Sequence, residues 1–115
     1  MFNLTIGILL FLALHAGAWF CTNTQFMNSQ ISQYSFWIMI ALAIPTSLAA
    51  YYASRFTYDG LSGEVWAVRF IGFGTSYLVF PVLTWWLLKE SMFTPKTMVC
   101  IILSMLIIAI QVFWK

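Results

Sequence analysis

Four apolar runs, each long enough to cross a lipid bilayer and separated only by short polar connections, dominate this chain. A hydrocarbon core of about 30 Å is spanned by roughly 20 helical residues, because each residue advances an α-helix by about 1.5 Å. The runs extend from about Asn3 to Cys21, Tyr34 to Ser54, Glu64 to Leu88 and Pro95 to Trp114, so they use nearly all of the 115 residues. Inside lipid a backbone amide finds no water to bond, and a helix satisfies its own amides internally. The expectation is an all-α integral membrane protein, a single transmembrane domain built as a four-helix bundle.

The surface chemistry agrees. The chain is 63% hydrophobic and 7% charged, with a mean hydropathy of +0.92, whereas a water-soluble domain carries about a quarter charged residues. No length remains for a soluble catalytic domain, so any function lies within the bundle or at its ends. The net charge of +2 comes from Arg55, Arg69, Lys89, Lys96 and Lys115 against Asp59, Glu64 and Glu90. These charges are scattered singly and form no nucleic-acid surface. Cys21 and Cys100 stand alone, without the spacing of a zinc or redox site, and read as apolar packing residues. No Ser/His/Asp arrangement, HExxH helix, Walker loop or GxGxxG turn occurs, so the expectation is a non-enzyme that needs no cofactor or metal.

Local signals divide the chain further. The first run carries one ionisable residue, His15, and ends at Trp19 and Phe20, which suit an interfacial aromatic belt. Ala16-Gly17-Ala18 imitates a signal-peptide cleavage site, but no Lys or Arg precedes the run, which reads as a retained span. Thr22 to Gln33 reads as a polar loop without structure of its own. The second run carries Pro45 near its middle, where a lost backbone hydrogen bond predicts a kink, with Thr46 and Ser47 or a neighbouring helix to satisfy the freed carbonyl. Asp59-Gly60 and Ser62-Gly63 mark a turn, with Glu64 in the first turn of the third helix. Pro81 predicts a second bend. Thr94-Pro95 predicts a helix start, with Thr as cap and Pro at the first helical position. The short connection from Lys89 to Thr94 makes spans three and four antiparallel neighbours. Both termini and the loop after Arg55 share one side of the membrane. The cations are nearly balanced between the two sides, which allows insertion in either orientation and an antiparallel homodimer. Cytoplasmic termini in a cell (inner) membrane are the preferred reading.

Few residues carry chemistry. An ionisable group inside a membrane is costly enough to nominate a site. His15 is therefore the leading candidate for substrate contact or proton exchange, with an interhelical hydrogen bond as the plainer alternative. Arg69 either binds an anionic group or stretches to the headgroups along its aliphatic stem. Trp66 either stacks on a flat or cationic ligand or belongs to the belt. Glu64 and Glu90 read as solvated ends. Cys100, Ser104 and Gln111 share one face of the fourth helix, which should turn inward. Ala13 with Gly17, and Gly72 with Ser76, have the spacing at which small residues let membrane helices approach closely.

Several of these features resemble the small four-helix members of the drug/metabolite transporter superfamily, including the small multidrug resistance proteins. The resemblance is carried by Arg55-Phe56-Thr57-Tyr58 leading into Gly60, Trp66, the Leu88-Lys89-Glu90 end and Thr94-Pro95. It implies a homodimer, often antiparallel, whose central chamber alternates between the two sides of the membrane and exchanges small molecules for protons. It also implies a chamber role for Trp66. The chain departs from small multidrug resistance proteins at one point: His15 stands in place of their essential first-helix glutamate, so cation-for-proton exchange does not carry over directly. Two functional expectations result. One is a dimeric small-solute transporter with His15, Trp66 and Arg69 at its substrate site. The other is a non-catalytic accessory subunit that packs against the helices of a larger membrane complex.

Overall fold

Each apolar run coils into a helix. The computed structural model describes residues 1–114; Lys115, expected to close the last span, lies outside the described residues. The long helices are α1 (Phe2–Asn23), α3 (Ser35–Gly60), α4 (Val65–Leu88) and α5 (Pro95–Phe113), with a one-turn helix α2 (Ser29–Ser32) between the first two. All four long helices have the length and apolar composition to cross a membrane. The protein is an all-α, four-helix membrane bundle.

The expected starts and stops hold in part. Thr94 caps α5, its hydroxyl accepting from the Thr97 amide at 3.3 Å, with Pro95 opening the helix. Other boundaries moved. The Thr22–Gln33 connection is structured: it holds a 3₁₀ turn at Thr24–Phe26 and then α2, whose Asn28 side chain accepts from the Ile31 amide. Asn and Ser favour such caps because their side chains replace the amide partners that a helix start lacks. Asp59-Gly60 is the last turn of α3, not a break, and the chain reverses at Ser62 and Gly63, both in the left-handed region with φ of 59° and 82°. Glu64 is the extended cap residue of α4, outside its first turn. At 26 residues, α3 is about 39 Å long, more than the hydrocarbon thickness, so it spans the bilayer with length to spare.

Helix α1 is the axis of the bundle, packing along α3 on one side and α4 on the other. The α1–α3 seam is antiparallel and is set by small residues. Gly60 lies against Leu4, Gly7 against Thr57 and Gly17 against Thr46, while Phe11 and Ala53 join Val68 of α4 in the buried core. Membrane helices gain no water-exclusion energy from meeting each other, so close backbone approach supplies the attraction. At both Gly7 and Gly60 backbone meets backbone: an added Cβ would stand 2.8 Å from the Thr57 nitrogen and 2.7 Å from the Leu4 nitrogen, respectively. The Thr57 hydroxyl is fully buried without a hydrogen-bond partner and faces Gly7.

Helix α5 departs from a closed bundle. It packs mainly on α4 and buries no residue, so the molecule is a flat body of 49 × 36 × 18 Å. Ser104 donates to the Cys100 carbonyl at 2.9 Å, which leaves the Tyr77 hydroxyl to donate to Ser104 across the α4–α5 seam at 3.2 Å. The inward face expected of α5 is thus realised at Ser104, whereas Cys100 is exposed.

The seam yields a paired prediction. Gly7→Ala forces α1 and α3 apart against a rigid backbone and should destabilise by about 1 to 3 kcal/mol. Gly74→Ala meets only the Cδ1 end of Ile108, a flexible side-chain tip, and should be nearly neutral. Thermal unfolding of both variants in the same detergent checks the contrast.

Candidate functional site

His15 lies near the middle of the bundle, held between α1 and α4. Its Nε2 is 2.7 Å from the Gly72 carbonyl oxygen and 3.0 Å from Thr75 Oγ1. A carbonyl can only accept, so Nε2 carries the hydrogen. The Thr75 hydroxyl donates its own proton to the same carbonyl at 2.9 Å, closing a three-membered polar knot with one shared acceptor. Gly72 makes this possible, because a Cβ there would meet the Phe11 ring at 2.9 Å. Phe11 in turn stacks on the imidazole at a centroid distance of 6.0 Å. The plainer reading of His15, an interhelical hydrogen bond, is therefore realised. The neutral ring with hydrogen on Nε2 still leaves Nδ1 as an acceptor or a protonation site.

The same residue also faces open space. A cavity of about 370 Å³ is lined by Phe11, Leu14, His15, Arg69, Gly72 and Ser76 together with their α3 and α4 neighbours. It shares Ala50, Ser54, Val68 and Arg69 with a wider cavity of about 780 Å³ between α3 and α4. The wider cavity is bounded by Ser47, Tyr51, Arg55, Tyr58 and Val65. Together they make one cleft running from the end of the bundle that carries the α3–α4 turn down to His15. Two arginines line it and no acidic side chain does.

The expected site residues thus fall into two groups. His15 and Arg69 border one cavity. Arg69, the fifth residue of α4, lies about 6 Å along the helix from its start. Trp66 borders neither cavity: it is 69% exposed, with its ring 6.3 Å from Phe70. Arg55, Tyr51 and Tyr58 were not expected at a site, because each stands where a helix-end anchor belongs. The signal that could have found them is the helical spacing of Tyr51, Arg55 and Tyr58, which puts all three on one face of α3.

A second hydrogen bond ties α1 to α4 nearer the opposite end. Trp19 Nε1 donates to Thr84 Oγ1 at 2.9 Å, and both residues are buried. Trp19 is therefore a packing residue of the α1–α4 seam, not a member of an interfacial belt; its indole nitrogen finds a partner inside the bundle. Beyond it, a cavity of about 300 Å³ lies between α4 and α5, bordered by Tyr77, Pro81, Thr84, Glu90 and Cys100. Among the described residues no three His, Cys, Asp or Glu side chains cluster as a metal site requires. Against known proteins, the chain matches no family model, no curated protein and no solved structure.

The two α1–α4 bonds should differ when broken. Trp19→Phe leaves the Thr84 hydroxyl buried and unpaired and should cost about 1 to 3 kcal/mol. His15→Ala should cost less, about 1 kcal/mol, because Thr75 keeps its own bond to the Gly72 carbonyl. Thermal unfolding in a common detergent ranks them.

Proposed function

We propose that this chain is a small-solute membrane transporter of the drug/metabolite transporter type, working as a dimer with alternating access in the cell (inner) membrane. The observation that carries this reading is the cleft from the α3–α4 turn to His15, a largely apolar passage halfway into the bundle with Arg55, Arg69 and His15 as its ionisable groups. A ligand site of several hundred Å³ with a few convergent polar groups is the usual form of a small-molecule pocket. Pro45 in α3 and Pro81 in α4 supply points at which the walls of the cleft can bend.

His15 takes the place that the glutamate holds in small multidrug resistance proteins, with different chemistry: an imidazole becomes cationic on protonation, whereas a carboxylate becomes neutral. Trp66 borders neither cavity within one copy, and its exposed ring is available to line a chamber shared by two copies. A second reading is favoured by α5, which buries no residue in the monomer: an accessory subunit would use such a helix to pack against the helices of a larger complex.

Reconstituted vesicles separate the two. Transport predicts solute flux that falls about tenfold in His15→Ala, the rate equivalent of losing one contact of about 1.4 kcal/mol. Equal flux in both proteins removes His15 from the mechanism. Native mass measurement after gentle solubilisation should give a homodimer; a stable complex with unrelated chains instead establishes the accessory role.

A further inference from the structure

We infer that the Arg55–Arg69 cleft binds an amphipathic anion: a phosphate or carboxylate headgroup on a hydrocarbon tail. This deepens the transport reading by naming a ligand class, and rests on that reading for its role in export.

Three observations carry it. The first is charge. Arg55 and Arg69 border the same cavity from α3 and α4, and no Asp or Glu borders it. Two guanidinium groups with no carboxylate partner among the described residues leave an attraction for an anion unsatisfied, and guanidinium binds phosphate and carboxylate oxygens through paired N–H donors. Asp59 and Glu64 are close in sequence but are not part of the cavity wall.

The second is depth. Arg69 is the fifth residue of α4 and Arg55 lies five residues before the end of α3. At about 1.5 Å per residue both are within about 8 Å of the helix ends, near the level of lipid headgroups. The third is the shape and lining of the space. The wider cavity has Tyr51, Tyr58, Ser47 and Ser54 around the charges, with Ala50, Val65 and Val68 as apolar wall. It continues inward, past Arg69, to Phe11 and Leu14 beside His15. A headgroup held by the arginines and tyrosine hydroxyls would direct an attached tail along this apolar wall. A bare inorganic anion would leave that wall unused, and a cation would meet two like charges.

The test uses purified full-length protein in a neutral detergent, with the melting midpoint followed as ligand is added. Dodecyl phosphate should bind saturably and about tenfold or more tighter than dodecanol or dodecyltrimethylammonium. The Arg55→Gln/Arg69→Gln double variant should lose that preference, while Arg55→Lys/Arg69→Lys should retain part of it. The lysine pair, together with the wild-type comparison of the three amphiphiles, decides the matter should the glutamine pair fail to fold. No preference for the anion in the wild type, or an undiminished preference in a folded glutamine variant, overturns the inference. Inorganic phosphate competing as well as dodecyl phosphate overturns the amphiphile assignment. Displacement by phosphatidylglycerol identifies a membrane lipid as the source, and its absence identifies a free amphiphile; both retain the shared headgroup chemistry. Anion preference without flux in vesicles overturns transport and leaves the cleft's ligand class standing, whereas flux without anion preference does the reverse.

Discussion

Hydrocarbon offers a polypeptide no hydrogen bonds, and everything else in this structure follows from how the chain satisfies its amides there. Coiling four times through the bilayer pairs the backbone internally. Once coiled, the helices gain little by hiding apolar surface from one another, since lipid is as apolar as leucine. Association then depends on close fit and on a few polar contacts. Both are visible along α1. Gly7 and Gly17 admit the α3 backbone and its threonines, and His15 and Trp19 reach α4 through hydrogen bonds.

The same economy explains the cleft. Helices α1, α3 and α4 meet tightly where residues are small and diverge where Tyr51, Arg55 and Tyr58 on α3 face Arg69 on α4. The polar knot of His15, Thr75 and the Gly72 carbonyl closes the inner end. His15 therefore serves two ends at once: it clips α1 to α4 through Nε2 and borders the cavity. Helix α5 stands apart from this arrangement, attached through Tyr77 and Ser104 and otherwise open along its length.

The four helices were legible in the sequence because length and hydropathy alone determine membrane spans, and the Thr94-Pro95 start was legible because capping is local chemistry. The α3 end was misplaced because Asp59-Gly60 is a turn signal only where nothing competes; here Gly60 packs against Leu4 and continues the helix. Trp19 was read as a belt residue because an aromatic near a helix end looks the same whether it meets headgroups or a buried threonine, and only tertiary structure supplies Thr84. His15 and Arg69 were legible as ionisable residues set in apolar runs, and the structure brings them to one cavity. Their companions Arg55, Tyr51 and Tyr58 were not, since anchoring a helix end and lining a cleft demand the same residue types.

Accessibility of single cysteines in a background without Cys21 and Cys100 tests the four-span architecture most directly. In native vesicles permeabilised so that the reagent reaches both faces, a water-soluble maleimide should label cysteines at Gly63 and Ser91, in the connections, and leave those at Leu9, Leu48, Leu78 and Leu106, deep in the four helices, unreacted. Rapid labelling at any of these leucine positions would place that segment in water and contradict a chain that spans the bilayer four times.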